Sequence, residues 1–179
     1  GNAIAGVFDI NLRKGNNMKR ETALQIGVLG TDIALEGPFK KGYTGSYLVN
    51  YRYSTLGLME KMGLIPGAGG IPTYQDLSFK FNMPAGKMGV FTLWGIGGNA
   101  RSVDRNEQDP SEWETYWDRI GFDFRTGMGA AGLTHTWFPD DKSYVKTSIA
   151  WTGEKSGEVQ EIYNTTDHGC EIKGQCVCP

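Results

Sequence analysis

Hydrophobic and polar side chains alternate with a period of two along four segments of the chain, as in a β-strand with one apolar and one wet face. The four segments are residues 7–13, 73–83, 116–126 and 143–152. In the second segment, for example, Phe79 and Phe81 alternate with Ser78 and Lys80. The pattern predicts an antiparallel sheet whose two faces differ in polarity.

Three further segments are strand-like but less regular: residues 19–36, 43–56 and 88–98. In the first of these, the apolar positions change phase between Val28 and Ile33, and a β-bulge near Gly30 would explain the change. Residues 88–98 are apolar on both sides. The one helical signal lies at residues 56–63, where three apolar side chains share a helix face. The chain is therefore predicted to be all-β, an up-and-down antiparallel meander of about six to eight strands that forms a partial or small closed barrel.

The alternation also predicts which side chains share a face of the sheet. One face is expected to carry the polar partners of the strands, namely Asn50, Arg52, Ser78, Lys80, Arg119 and Asp123. The opposite face is expected to carry their apolar partners, namely Phe79, Phe81, Ile120 and Phe122.

The connections between the predicted strands alternate in length. Short ones (GPFKKGY, PAGKMG and PDDKS) are separated by two long ones, MGLIPGAGGIP and NARSVDRNEQDPSEWE. Outer-membrane barrels combine tight turns at one end with longer loops at the other, and they place aromatic girdles near the strand ends. Tyr43, Tyr116, Trp117 and Tyr144 lie near predicted strand ends. The pattern alone supports two structures equally. One is a membrane barrel, and the other is a small soluble barrel or sandwich that binds an apolar ligand.

Composition narrows the function classes. Glycine contributes 26 of the 179 residues, about twice the usual ~7% share, and dispersed glycine suits turn-rich sheets better than helices. The charge is nearly balanced, with 18 basic and 20 acidic side chains, so no basic footprint for nucleic acid is present. Mean hydropathy is −0.38, yet a membrane barrel shows lipid only every second residue of a strand, so this average does not exclude one.

Few side chains suit catalysis or metal binding. The chain has two histidines, and His135 shares a side of its strand with Leu133 and Trp137, which favours a packed or interfacial role over a catalytic one. Three acidic residues (Asp104, Glu107 and Asp109) lie in the second long connection without the spacing and glycine of a calcium loop. We expect a solvated outer loop there. GIGGNA at 95–100 follows no strand–helix unit, so a phosphate cradle is not predicted.

The cysteines are confined to the C-terminal segment. Cys170, Cys176 and Cys178 lie close to His168 but lack the paired C-x-x-C spacing of structural zinc sites. The segment is expected to be an unassigned, poorly ordered tail. No catalytic, cofactor-binding or metal-binding residue is predicted anywhere in the chain, and it is not expected to be an enzyme.

Several segments resemble TonB-dependent receptors, the outer-membrane transporters of Gram-negative bacteria, and in particular those of Bacteroidetes. GNAIAGVFDINLRKGN at 1–16 is similar to the end of the plug domain, with its G-V-x-D-I-type strand. ALEGPFKKGYTGSYLVNYRYSTLGL at 34–58 and YQDLSFKFNMPAGKMGVFTLWGIGG at 74–98 resemble the first barrel strands, and GMGAAGLTHTWFPDDKSYVKTSIAW at 127–151 continues the likeness. The resemblance implies a 22-stranded barrel with a plug, which imports nutrients with energy relayed by TonB.

The resemblance also implies a division of the chain. Residues 1–15 correspond to the end of the plug, residues 16–153 to barrel strands, and residues 154–179 remain an unassigned tail. Because most of the plug and the terminal aromatic of such barrels have no counterpart, we expect an excised fragment or a truncated product that does not transport alone. Its partners would be outer-membrane lipid and the TonB system. Arg52, Asp76 and Lys80 are the candidates for side chains that face the lumen.

In water, the isolated chain is expected to hide the face that lipid would cover. Each large apolar side chain left exposed forgoes roughly 1.5–3 kcal/mol, so an uncovered face would outweigh the ~5–15 kcal/mol stability of a domain. The chain should curl into a closed barrel or sandwich with that face inside, or should pair edges and faces with other copies.

Overall fold

A single antiparallel sheet forms the fold, and the computed structural model describes residues 10–64, 70–105, 110–166 and 169–178 of it. The strands are β1 (Glu21–Ile26), β2 (Thr31–Pro38), β3 (Ser46–Tyr53), β4 (Thr73–Pro84), β5 (Val90–Asp104), β6 (Ile120–Asp140), β7 (Ser143–Thr166) and β8 (Gly169–Cys178). Each pairs with its neighbour in sequence, so the order is β1-β2-β3-β4-β5-β6-β7-β8. This confirms the predicted all-β meander.

Helix is confined to the connections. The helix α1 (Leu56–Lys61) confirms the helical signal at residues 56–63. Three short 3₁₀ turns follow it, at Gly86–Met88, Pro110–Glu112 and Tyr116–Arg119. Within the described ranges, none of the helices has the length and apolar composition needed to cross a membrane.

From β2 to β7, the connections alternate in length as predicted. Residues 39–45, 85–89 and 141–142 link the strands at one end of the sheet, which we call the short-turn end. Residues 54–72 and 105–119 link them at the opposite end, the long-loop end. The turn between β1 and β2 also lies at the long-loop end, where the Gly27 N–H donates to the Gly30 carbonyl at 2.9 Å.

That turn corrects the prediction for residues 19–36, which form a hairpin rather than one bulged strand. Leu24 on β1 pairs directly with Ile33 on β2. Directly paired residues share a face, so the change of apolar phase between Val28 and Ile33 reflects the reversal of the chain.

The register defines two faces. The Lys80 face carries Lys80, Ser78 and Asp76 of β4 with their direct partners, and the Phe79 face carries the alternate residues Leu77, Phe79 and Phe81 with theirs. Asn50 pairs with Ser78, and Arg52 pairs with Asp76. The predicted faces of β3 and β4 are therefore confirmed.

The predicted faces of β6 are wrong. The β5–β6 register runs without interruption from Val90↔Thr136 to Asp104↔Phe122, and it puts Phe122 on the Lys80 face and Asp123 on the Phe79 face. Arg119 lies in a 3₁₀ turn that precedes the strand, with its guanidinium 4.0 Å from the centre of the Tyr116 ring.

There is a physical reason why the apolar residues at the start of β6 lie on the Lys80 face. At the long-loop end, Gly70 of the first long connection lies over the Lys80 face. The Ser102 hydroxyl donates to the Gly70 carbonyl at 2.6 Å, and the Gly70 N–H donates to the Val103 carbonyl at 3.0 Å. A Cβ added at Gly70 would lie 3.8 Å from the Phe122 Cζ, so the half-buried Phe122 ring has an apolar neighbour on the Lys80 face.

Two further segments differ from the expectations. Residues 10–13 of the predicted strand 7–13 are not in a strand, and residues 7–9 lie outside the described ranges. Beyond residue 153, the backbone does not form a separate tail, since β7 continues to Thr166 and β8 pairs back along it. The predicted boundary at 153/154 therefore lies inside a strand.

The sheet is open over the described residues, with β1 and β8 at its edges, which agrees with the partial form of the predicted barrel. The closed barrel or sandwich does not form, and pairing of edges and faces with other copies stays a prediction. Among the described residues, no hydrophobic side chain is fully buried. Aromatic rings instead pack within a face, over glycines of the neighbouring strand. The Phe79 ring lies over Gly95, where an added Cβ would be 2.6 Å from a ring carbon. Trp94 lies over Gly132 in the same way on the other face.

Candidate functional site

The three candidate lumen residues all belong to the Lys80 face, but they do not form one cluster. Arg52 and Asp76 are direct cross-strand partners, and the Arg52 Nε and Nη2 atoms each lie 2.8 Å from Asp76 Oδ2. The Arg52 guanidinium also stacks over the Tyr74 ring at 5.1 Å. Lys80 lies further along β4, where its ammonium donates a hydrogen bond to the Leu12 carbonyl.

Lys80 thereby contacts the segment that precedes the sheet. Residues 10–20, which we call the N-terminal segment, pass over the Lys80 face of β2, β3 and β4. Gly15 is buried against the backbone of Tyr47, and a Cβ on Gly15 would overlap the Tyr47 carbonyl oxygen. Only glycine fits this close approach between two backbones.

Glu36 is the main polar anchor of the N-terminal segment. Its carboxylate accepts two hydrogen bonds from the Arg13 guanidinium, each at 2.6 Å, and one from the Asn16 N–H at 2.8 Å. The side chain of Glu36 is only 15% exposed, while that of Arg13 is 64% exposed. The hydrogen bonds to Glu36 raise the pKa of Arg13 above its ordinary value. We call these contacts the Glu36 anchor.

Asn16 then turns the chain into β1. Its side-chain oxygen accepts from the Met18 N–H at 2.9 Å and from the Lys19 N–H at 3.3 Å, which is an Asx-type turn. Its amide nitrogen donates to Glu21 at 2.6 Å. The anchor was missed from the sequence because residues 19–36 were interpreted as one strand. With the hairpin in place, Asp32, Ala34 and Glu36 have the alternation that points to the Lys80 face.

The Phe79 face carries a continuous apolar belt. Four register rows cross β3 to β7 and hold mainly apolar or small residues: Tyr51–Leu77–Gly97–Gly129–Gly153, Val49–Phe79–Gly95–Ala131–Trp151, Tyr47–Phe81–Leu93–Leu133–Ile149 and, without β3, Met83–Phe91–His135–Thr147. Trp151 and Ile149 are 70% and 74% exposed. In β7, the belt extends from Val145 to Gly153, which matches the ~9–11 residues of a membrane-spanning strand.

The belt is bordered differently at the two ends of the sheet. Toward the long loops, the next row consists of Tyr53, Gln75, Asn99, Gly127 and Lys155. Toward the short turns, aromatic rings cluster, with the Phe39 ring 5.8 Å from that of Tyr47 and 5.9 Å from that of Phe81. The Tyr43 hydroxyl adds a hydrogen bond to the Pro84 carbonyl at 2.9 Å.

Among the described residues, those considered for catalysis or metal binding are not brought together into one cluster. The His135 ring stacks on Phe91, with centroids 4.3 Å apart, and its Nε2 lies 2.7 Å from the Met88 carbonyl. This is a packing role at the belt. Across the described ranges, no group of three His, Cys, Asp or Glu side chains is arranged to hold a metal ion. Glu107, Asp109 and His168 lie outside those ranges, as do the side chains of the three cysteines.

Comparisons with protein-family models, with curated proteins and with solved structures found no match to this chain.

Proposed function

We propose that the chain forms part of the wall of an outer-membrane β-barrel of the TonB-dependent receptor type. In this proposal, the Phe79 face contacts lipid and the Lys80 face lines the lumen. The N-terminal segment is the end of the plug, which enters the wall at β1. The edges of β1 and β8 would pair with further strands of the barrel, because an unpaired edge does not persist in lipid.

The apolar belt is the observation that carries the proposal. A sheet with no buried hydrophobic core among its described residues needs another environment for its exposed Phe79 face. The belt has the length of a membrane span in β7, polar residues follow it at one end, and aromatic residues border it at the other. A soluble sheet has no reason to confine its apolar side chains to a band of that height.

The contrast between the two faces supports the direction of the assignment. The Lys80 face carries Asn50, Arg52, Asp76 and Ser78 at the level where the Phe79 face is apolar. Placing these groups in hydrocarbon would leave them without water, at several kcal/mol for each unsatisfied group. The N-terminal segment lies on this polar face, as a plug inside a barrel would.

Two native tryptophans offer a test, because they lie on opposite faces. We would prepare one variant that keeps only Trp151 and a matched variant that keeps only Trp94, with the other tryptophans replaced by phenylalanine. Both would be folded into phosphatidylcholine bilayers that contain brominated acyl chains, at a protein density that lets several copies pair their β1 and β8 edges. Trp151 should be quenched strongly and Trp94 only slightly, because bromine quenches the fluorescence of rings that it touches.

Equal quenching of the two variants, or stronger quenching of Trp94, would contradict the assignment of faces. A chain that stays monomeric in water and does not associate with vesicles would contradict the membrane assignment itself. That result would favour the soluble barrel or sandwich with an apolar ligand, which no observation on the described residues supports at present.

A further inference from the structure

Above the apolar belt, the Phe79 face holds a groove with a cationic rim. The groove encloses about 750 Å³ and is lined by residues that include Tyr53, Gln75, Asn99, Arg101, Arg125 and Lys155. A volume of this size lies within the ~300–1,000 Å³ range of small-molecule sites. The groove begins at the polar row that terminates the belt and extends toward the long-loop end.

Two arginines face each other directly across the strands at this groove. Arg101 on β5 pairs with Arg125 on β6, and like charges in that position repel. Asp123 relieves the repulsion with a single carboxylate. Arg101 donates to it at 2.9 and 2.7 Å, and Arg125 donates at 3.1 and 2.6 Å. The carboxylate is therefore shared between two guanidinium groups, and one positive charge remains uncompensated.

Lys155 adds a second positive charge to the rim. It pairs in register with Gly127, next to Arg125, and among the described residues it has no ion-pair partner. Glu158 also borders the groove, but its carboxylate accepts from Gln160 at 2.6 Å, and both residues are on positions of the Lys80 face. The arginine side chains are 52% and 65% exposed, so their outer N–H groups remain open to a ligand.

We infer that this groove binds the phosphate of an anionic lipid whose acyl chains lie on the belt. Guanidinium groups bind phosphate oxygens bidentately, and a phosphate would supply the negative charge that Asp123 alone does not. The belt begins one register row from Lys155, at Gly153, with Trp151 beyond it. One amphiphile can therefore place its head in the groove and its tail on the apolar surface, whereas a free phosphate uses only the first half of the site.

The inference rests on the proposed lipid contact of the Phe79 face, and the variant that keeps only Trp151 tests both. It would be folded into two kinds of phosphatidylcholine bilayer. One contains a small fraction of brominated phosphatidic acid, and the other contains the same fraction of brominated phosphatidylcholine. We expect phosphatidic acid to quench Trp151 at lower mole fraction, by about tenfold in apparent affinity, as one charge-assisted contact would give. Inorganic phosphate in the buffer should leave this preference unchanged.

Variants locate the site. Arg101→Gln/Arg125→Gln should remove the preference, and Lys155→Gln should reduce it without disturbing the pairs with Asp123. The matched control, Lys41→Gln/Lys142→Gln, removes the same charge at the short-turn end and should leave the preference intact. The lysine variant keeps the test decisive even if the double arginine variant does not fold.

The outcomes separate this inference from the proposed function. If both brominated lipids quench Trp151 equally, the lipid contact stands and the anionic site is wrong. If neither lipid quenches Trp151, the proposed function fails and the site fails with it. A preference that survives Arg101→Gln/Arg125→Gln would place the anionic lipid elsewhere, and a preference abolished by inorganic phosphate would make the groove a free-phosphate site.

Discussion

Replacing Glu36 by glutamine should release the N-terminal segment from the sheet. The carboxylate accepts three hydrogen bonds, two from Arg13 and one from the Asn16 N–H. A glutamine side chain has one acceptor oxygen and no charge, so it cannot accept the bidentate pair. The remaining contacts, among them the hydrogen bond from Lys80 to Leu12 and the burial of Gly15, are untouched by the change.

The expected size follows from the exposure of the partners. Hydrogen bonds to a charged group contribute about 1.5–3 kcal/mol when well shielded, but exposed ion pairs contribute about 0.2–1 kcal/mol. Arg13 is 64% exposed, so its pair with Glu36 belongs near the lower range. The bond from the Asn16 N–H to the nearly buried carboxylate adds about 1 kcal/mol. Together these give about 1–2 kcal/mol, which corresponds to roughly a 5- to 30-fold larger open population of the segment.

Amide hydrogen exchange, followed by mass spectrometry in detergent micelles, measures that population directly. Peptides that cover residues 10–20 should exchange roughly 5- to 30-fold faster in Glu36→Gln. Trypsin should cleave after Arg13 and Lys14 correspondingly faster. Glu154→Gln is the matched control, since Glu154 is exposed on the Lys80 face of β7 and loses the same charge. Unchanged exchange of residues 10–20 in Glu36→Gln would refute the Glu36 anchor.

Three further outcomes follow from the same structure. Gly95→Leu should lower the free energy of unfolding in urea by about 1–3 kcal/mol, because its side chain meets the Phe79 ring; Gly157→Leu, with open space at its Cβ, should cost less. In a double-mutant cycle, Arg52→Gln and Asp76→Asn should couple by no more than about 1 kcal/mol, because both side chains are at least a third exposed; a larger coupling would mean that the pair is shielded in the folded chain. Without detergent, the chain should self-associate in light scattering to cover its apolar belt, and a monodisperse monomer would contradict this.

The architecture was predictable because the period-two pattern is locally encoded. Wherever one strand has a wet and an apolar side, as β4 does around Lys80 and Phe81, the register follows from the pattern, and the pairing with β3 agrees. The alternation of short and long connections was equally visible, since glycine, proline and polar clusters mark the turns.

The predictions were wrong at two places. At one, a loop residue packs on the sheet, and at the other the chain reverses direction, so the alternation no longer predicts the face of each side chain. Local alternation placed Phe122 with Phe79, but Gly70, in the first long connection, lies against Phe122 on the Lys80 face. The hairpin at residues 27–30 was missed because the apolar phase change was attributed to a bulge. Such contacts join residues far apart in sequence, and a window along one strand does not contain them.

The candidate site shows the same limit. Arg52, Asp76 and Lys80 were identified by their side of the strand, and the register agrees with that choice. The contacts of each side chain depend on residues outside its own strand. Asp76 accepts a hydrogen bond from Arg52 on β3, whereas Lys80 donates to the backbone carbonyl of Leu12. Glu36 and Arg13 were missed because their contact spans a turn, an edge strand and the N-terminal segment.

The apolar belt carries information that alternation alone does not. A strand that alternates polar and apolar residues can bury its apolar side against a core or against lipid, since the two environments select the same side chains. A protein core and a bilayer differ in where along each strand the apolar residues end. A protein core ends wherever packing ends, strand by strand, but a bilayer gives every strand that crosses it an apolar stretch of similar length. On the Phe79 face, Gln75, Asn99 and Lys155 lie in a single register row that terminates the belt across β4 to β7. A limit that these strands share supports the proposal that this face contacts lipid.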